Sequence, residues 1–254
     1  MNEITTYGLL GYPLGHSFSK GFFSEKFQKE GIPARYLNFE VPSIEMLDDV
    51  LLEHPKLRGF NVTIPYKEAI LPHLDHISAE AEKIGAVNVV KVDWADDIPM
   101  LTGHNTDVVG FQQSLLTHLR PHHREALVLG TGGASKAVFY ALKRMGITPH
   151  YVSRNAQPGI LTYAHLGSEW MERCQIIVNC TPLGMSPNVD TCPDIPYEMI
   201  GAQHLLYDLV YNPEETLFLH IGKKQGAQIK NGAEMLRIQA LEAWKIWNST
   251  MSER

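Results

Sequence analysis

Ala126-Leu127-Val128-Leu129-Gly130-Thr131-Gly132-Gly133-Ala134-Ser135 is the stretch that decides the fold. Four apolar residues in succession read as a strand buried on both faces. The glycines interrupt it, and residues 135–145 then read as a helix closed by Gly146. A buried strand, a Gly-rich turn and a helix in that order build a loop suited to a dinucleotide pyrophosphate. Glycines let the backbone approach, and the helix N-terminus offers unpaired N–H groups and partial positive charge. Ser135 stands where the usual fingerprint has its third glycine, so a strand-to-helix turn without a ligand fits the same pattern.

Downstream, residues 150–152, 176–180 and 205–209 read as further strands, giving a parallel α/β series. The end of the second strand separates cofactor types. An NAD-binding unit places an acid there for the ribose hydroxyls, whereas this chain has Ser153-Arg154-Asn155. A guanidinium suits a 2′-phosphate and offers it a planar fork of donors. Lys136, just inside the helix, either adds positive charge or is a surface lysine. The third strand ends in Asn179-Cys180-Thr181-Pro182-Leu183-Gly184, polar and broken at the sheet edge where ligands lie in open α/β folds. A long helix over 233–247 closes the chain.

Upstream, strand-like stretches at 7–11, 35–41, 60–64, 87–92 and 100–104 alternate with helical ones. That order predicts a largely parallel sheet covered by helices. Ser43 reads as the N-cap of a helix through Leu52. Asn61-Val62-Thr63-Ile64-Pro65-Tyr66-Lys67 carries the chemistry of this half. Asn61 and Thr63 share a strand face, Pro65 stops the strand, and Lys67 follows at the junction. An amide, a hydroxyl and an ammonium there suit a hydroxylated small molecule and a proton transfer; an edge strand with a wet face reads the same way. Two serines, Ser17 and Ser19, at the start of the first helix suit a carboxylate, although plain capping by Ser17 needs no ligand.

Composition narrows the classes. The chain has 254 residues, enough for one large or two modest domains, and a net charge of −6 with no basic run. That argues against nucleic acid as a partner. The longest apolar runs fall short of a membrane span, and the N-terminus shows no signal-peptide pattern. Three cysteines without a CxxC pair indicate reduced thiols in a cytoplasmic protein, with Cys180 as a small core residue. The 12 histidines form no ligand pattern, so no metal is expected, and His122-His123 reads as part of a solvated linker.

Motifs in fixed order then make the chain similar to the shikimate dehydrogenase family nearly end to end. They are His16-Ser17-Phe18-Ser19, the 61–67 stretch, Gly85-Ala86-Val87-Asn88, Asn105-Thr106-Asp107, the 130–135 loop, Tyr207-Asp208-Leu209-Val210-Tyr211, and Asn231-Gly232-Ala233-Glu234-Met235-Leu236 with Gln239. The resemblance implies two α/β domains: a substrate domain over 1–104 and an NADP-binding Rossmann domain over 105–231. The helix over 232–254 would return to the first domain. It implies reversible NADPH-linked reduction of 3-dehydroshikimate to shikimate, a step of aromatic amino acid and chorismate biosynthesis, by a monomer or homodimer.

Carried over by motif, Lys67 and Asp107 are catalytic. Ser17, Ser19 and Tyr211 hold the substrate carboxylate, and Thr63, Asn88 and Gln239 join Lys67 and Asp107 on the ring. Gly130, Thr131, Gly132, Gly133, Ala134, Ser153, Arg154 and Asn155 bind NADP, with Leu209 and Gly232 near the nicotinamide. Three positions depart from the family pattern: Lys20 where proline often follows the second serine, Ser153 where many relatives have asparagine, and Glu234 where many have glycine. The alternatives are a relative oxidising quinate as well, with NAD, and a catalytically silent shikimate-binding regulator. Retention of Lys67 and Asp107 speaks against the latter.

Overall fold

The computed structural model describes residues 4–15 and 18–249. Contacts divide the chain into two compact units, Met1–Thr106 with Gln239–Arg254, and Asp107–Ile238. Asn105 and Thr106 join the first unit because the Asn105 amide donates to the Ala86 carbonyl at 2.9 Å and the Thr106 N–H to Asn88 Oδ1 at 2.7 Å.

The first unit contains β1 (Thr5–Gly11), α1 (Phe18–Glu30), β2 (Ala34–Glu40), α2 (Leu47–Glu53), β3 (Leu57–Val62) and α3 (Tyr66–Ala69). After these come β4 (His76–Ile77), α4 (Ala79–Ile84), β5 (Val89–Ala95) and β6 (Ile98–His104). Their sheet has the order β2-β1-β3-β5-β6-β4. β1 runs parallel to β2 and β3, but β5 is antiparallel to both β3 and β6, so the sheet is mixed rather than largely parallel. The reversal has a local cause: β5 and β6 form a hairpin whose turn holds Asp96 and Asp97 at φ 49° and 65°.

Alternation along the strands sorts side chains onto two faces. Leu10, Phe39, Phe60, Val62 and Val90 enter one core with Leu47 and Leu51 of α2. Tyr7, Leu9, Tyr36 and Val89 enter another with Phe23 and Phe27 of α1. The second core is closed by Ala240, Ala243 and Trp247 of the last helix, α9 (Ala233–Asn248).

The second unit contains α5 (Asp107–Leu116), β7 (Glu125–Leu129), α6 (Gly133–Arg144), β8 (Thr148–Ser153), β9 (Leu161–Thr162) and α7 (Ser168–Arg173). β10 (Ile176–Asn179), β11 (Leu205–Asp208), α8 (Leu217–Lys224), β12 (Gln228–Lys230) and the start of α9 complete it. All its strand pairs are parallel, in the order β12-β11-β10-β7-β8-β9. In chain order that is the doubly wound 3-2-1-4-5-6 arrangement, with the crevice where the order reverses between β7 and β10.

Three local expectations are corrected. Ser43 precedes a 3-10 turn, Ile44–Met46, and makes no side-chain cap; its hydroxyl donates to the Glu45 carboxylate instead. His123 is buried rather than solvated: its Nδ1 accepts from the Arg120 N–H at 3.1 Å and its Nε2 donates to the Gln203 carbonyl at 3.2 Å. Cys180 is half-buried, whereas Cys174 is the cysteine in the core, and none of the three forms a disulfide.

Candidate functional site

In the first unit the candidate residues collect at the edge where β1 and β3 end. Thr63 follows β3 directly, and its N–H donates to the Leu10 carbonyl of β1 at 2.9 Å. Asn88 immediately precedes the antiparallel β5, so it lies beside the exit of β3, where its carbonyl accepts from the Val62 N–H at 2.8 Å. Lys67 sits half-buried in α3, and its carbonyl accepts from the Val87 N–H at 2.8 Å. That bond ties the short helix to the residue preceding Asn88. The Tyr66 ring anchors α3 from beneath, donating from its buried hydroxyl to the Val41 carbonyl at 2.6 Å.

Asn88 is the best-fixed polar group of this edge. Its Oδ1 accepts from the Thr106 N–H at 2.7 Å, and its Nδ2 donates to Thr106 Oγ1 at 3.1 Å. Thr106 leads directly into Asp107, which is buried as the first residue of α5 and opens the second unit. Ser19 is the second residue of α1 and half-buried, Gln239 is half-buried on α9, and Ser17 lies outside the described residues.

In the second unit a Gly-rich turn joins β7 to α6, the strand-turn-helix order read from the sequence. Gly130 follows β7 directly at φ +106°, a conformation only glycine adopts without strain, and its N–H donates to the Val152 carbonyl at 2.9 Å. Thr131 and Gly132 turn the chain, and α6 starts at Gly133 and Ala134 with Gly132 as an N-cap that has no side-chain cap bond. Ser135, in the place of a third glycine, points its hydroxyl back to the Gly132 carbonyl at 2.6 Å and leaves the helix N-terminus clear of its side chain. Uncapped N–H groups at a helix N-terminus fit a pyrophosphate. Ser153 ends β8, and Arg154 and Asn155 follow it, both exposed, with the Asn155 N–H on Ser153 Oγ at 3.3 Å. This donor set suits NADP.

A buried polar network that the sequence reading missed braces the neighbouring strand ends. Asp208, closing β11, is fully buried and accepts from Thr216 Oγ1 at 2.6 Å, the Val210 N–H at 3.0 Å and Asn179 Nδ2 at 3.0 Å. Asn179 Oδ1 in turn accepts from the Thr181 N–H at 3.0 Å and the Thr181 hydroxyl at 2.6 Å. Burial pushes the Asp208 carboxyl up to about 6, although its hydrogen bonds oppose the rise. The network fixes the chain on both sides of Leu209, whose N–H donates to the Asn179 carbonyl at 3.0 Å. A polar residue ending each of two apolar strands was the available signal.

Gly232 lies against that segment: a Cβ there would stand 2.2 Å from the Leu209 carbonyl oxygen, a backbone atom that cannot yield. Tyr211, two residues beyond Leu209, is half-buried. Glu234 pairs with Lys230 at 2.5 Å, and that hydrogen bond holds its carboxyl below the usual range. The family departure at Glu234 therefore brings its own counter-charge.

At the opposite edge of the second sheet, Glu125, His150 and Cys174 bring metal-capable atoms within 4.8 Å of one another. The Arg173 guanidinium already forks onto Glu125 at 2.9 and 3.2 Å, and His150 Nε2 donates to it at 2.8 Å. Burial also pushes the Cys174 thiol up to about 12. A neutralised carboxylate beside a protonated thiol makes an ion-pair cluster rather than a cation site.

The family profile for the shikimate dehydrogenase substrate binding domain matches residues 9–90. The NADP(+) shikimate dehydrogenase of Caldanaerobacter subterraneus subsp. tengcongensis is 35% identical over 98% of this chain and 93% of its own length. Shikimate 5-dehydrogenase of Thermus thermophilus, solved in complex with NADP(H) and shikimate, superposes with a TM-score of 0.83. It is 32% identical over 96% of this chain and 93% of that one. Quinate dehydrogenase of Corynebacterium glutamicum, solved with NAD, has a TM-score of 0.82 but only 25% identity, over 97% of this chain and 94% of that one. With likeness of this extent to an NADP-dependent enzyme, this chain belongs to the shikimate dehydrogenase family.

Proposed function

We propose that the protein is an NADP-dependent shikimate dehydrogenase, reversibly reducing 3-dehydroshikimate to shikimate in aromatic amino acid and chorismate biosynthesis. The near-full-length likeness to NADP(+) shikimate dehydrogenases carries this reading. The uncapped α6 N-terminus and Arg154 in place of an acid support NADP over NAD. Bound there, NADPH supplies the hydride.

Residues 1–104 serve the substrate, 105–231 the cofactor, and 232–254 return to the substrate side. Ser17, Ser19 and Tyr211 receive the substrate carboxylate. Thr63, Asn88 and Gln239 orient the ring, and Asn88 does so from a side chain already fixed by Thr106. Lys67 gives a proton to the developing alkoxide oxygen and takes it back in the oxidative direction. Asp107 orients Lys67 and a ring hydroxyl. Gly130, Thr131, Gly132, Gly133 and Ala134 receive the pyrophosphate, Ser153, Arg154 and Asn155 the adenosine end, and Leu209 and Gly232 the nicotinamide end.

Among the described residues no helix is long and apolar enough to cross a membrane. The protein works in the cytoplasm as a monomer or homodimer on a small molecule, without nucleic acid. The decisive assay follows absorbance of NADPH formed from shikimate and NADP+, beside quinate with NAD+. Faster oxidation of quinate with NAD+ would assign the protein to the quinate-oxidising branch. No oxidation of either acid, with shikimate still bound, would make it a silent binder.

A further inference from the structure

β11 is apolar and buried through Leu205, Leu206 and Tyr207, yet it ends in a buried carboxylate. The hydrogen-bond partners of Asp208 are all neutral. Asn179 Nδ2 and the Val210 N–H donate to Oδ1, both at 3.0 Å, and the Thr216 hydroxyl donates to Oδ2 at 2.6 Å. Burying a carboxylate without a counter-charge costs stability. Such exceptions to a well-made core tend to fall at functional sites.

The partners come from separate segments. Asn179 ends β10, Val210 follows β11, and Thr216 precedes α8, where its hydroxyl also accepts from the Leu219 N–H at 3.4 Å. Carboxylate oxygens only accept, and their lone pairs suffice for all these donors, so one side chain ties the segments together. The frame continues to the nucleotide loop. Asn179 Oδ1 holds Thr181 by its N–H and its hydroxyl, and a Cβ on Gly130 would stand 3.3 Å from Thr181 Cγ2. Beyond β11, the Gly232 N–H donates to the Val210 carbonyl at 3.2 Å. Leu209 and Val210 are thus held both by Asp208 and by Gly232, at the carboxyl edge where doubly wound sheets receive a dinucleotide.

We infer that Asp208 is a positioning residue for the nicotinamide half of the cofactor: its hydrogen bonds to Asn179, Val210 and Thr216 preform the 209–211 segment before NADP binds. This rests on the proposed function, which sets Leu209 and Gly232 at the nicotinamide end. Asp208 is fully buried and acts only through the backbone it holds. Without it the segment orders only as the nicotinamide docks. That half of the cofactor then binds less tightly and is aligned less well for hydride transfer, while the adenosine end is met as before.

The test compares wild type with Asp208→Ala, Thr216→Val and Asp208→Asn. In Asp208→Asn the amide oxygen still accepts from Asn179 and Val210, and the amide nitrogen donates to Thr216 Oγ1, so the frame is kept. Calorimetry gives the Kd of NADP+ and of adenosine 2′,5′-bisphosphate, which carries the adenosine end without nicotinamide. Oxidation of shikimate gives kcat. In Asp208→Ala the Kd of NADP+ should rise roughly three- to tenfold and kcat fall about ten- to a hundredfold, with the Kd of the bisphosphate within about twofold. Thr216→Val removes a single bond to the carboxylate and should move the Kd of NADP+ and kcat the same way by roughly three- to fivefold. It decides the matter if circular dichroism shows that Asp208→Ala does not fold. Asp208→Asn should recover most of the loss. Equal weakening of both ligands would mean a general loosening of the unit and overturns the inference. So do wild-type values in Asp208→Ala and Thr216→Val, or an Asp208→Asn as impaired as Asp208→Ala. Wild type that binds NADP+ but forms no NADPH from shikimate overturns the proposed function, and the two Kd values still decide the inference.

Discussion

Trp247 donates its indole N–H to the carbonyl of Val90 at 3.0 Å, joining the last turn of α9 to the start of β5 across 157 positions. Its ring stacks on Tyr7 at 5.0 Å and lies 5.2 Å from Phe23. One side chain therefore seals the core that covers the floor of the substrate-side sheet. Trp247→Ala removes a large buried aromatic and leaves a cavity, at a cost of about 3–5 kcal/mol. Trp247→Phe keeps most of the stacking and loses the hydrogen bond, at roughly 1–2 kcal/mol. Urea unfolding of both variants checks the order, and equal losses would show that the hydrogen bond rather than packing dominates.

Lys67 sits on a four-residue helix whose position is set by Tyr66 beneath and by the Val87 N–H on its own carbonyl. As the proposed proton donor it acts when charge develops on the substrate oxygen. Lys67→Ala should lower kcat by about 10²–10⁴-fold, with the KM for shikimate changed by only a few-fold. Steady-state rates at saturating NADP+ measure this. Near-normal turnover in the variant would remove Lys67 from the chemistry.

Asp208 makes stability depend on pH with a definite sign. Its carboxyl is raised by burial to about 6, whereas the unfolded chain titrates near 3.8. Between those values the native protein keeps a proton that the unfolded chain releases, so stability falls as pH rises through that window. The contribution of this group is full below pH 4 and lost above about pH 6. Asp208→Asn stays neutral throughout and should close or reverse its stability deficit at about pH 7.5 relative to about pH 4.5. The relative change is at most about 3 kcal/mol. Denaturant midpoints at the two pH values decide it, and a pH-independent difference would mean that the carboxyl titrates alike in both states.

The residues read most surely from sequence are those whose partners are close in the chain. β7, β10 and β11 are short apolar runs bounded by glycines or polar residues, and Gly130 to Gly133 announce the loop between β7 and α6. β4, β9 and β12 have two or three residues each, too few for any period to show. The antiparallel turn of β5 is hidden because the βα order upstream of it is the order of a parallel sheet. His123 reads as solvated since its partner carbonyl, Gln203, lies 80 positions away. The candidate site divides the same way: Thr63, Lys67, Asn88 and Arg154 stand in contiguous motifs, whereas Asp208 and Thr216 meet only after the strands and loops are placed.

Cofactor choice is the prediction that rests on the fewest atoms. Arg154 follows the last residue of β8 and is exposed, so its guanidinium is available to a phosphate rather than buried in a structural ion pair. Ser153 and Asn155 flank it with neutral donors, and Ser153 Oγ already orders the turn by accepting from the Asn155 N–H at 3.3 Å. A charge-assisted contact of this kind is worth about 1.5–3 kcal/mol, which corresponds to roughly a ten- to hundredfold preference for NADP over NAD. NAD lacks the 2′-phosphate and gains little from the same guanidinium. Arg154→Ala should therefore lower kcat/KM for NADP by that factor and leave kcat/KM for NAD nearly unchanged. The measurement is kcat/KM for both cofactors in wild type and variant at a fixed, saturating concentration of shikimate. A cofactor ratio that survives the substitution would move the discrimination away from Arg154, with Lys136 on α6 the next side chain to replace.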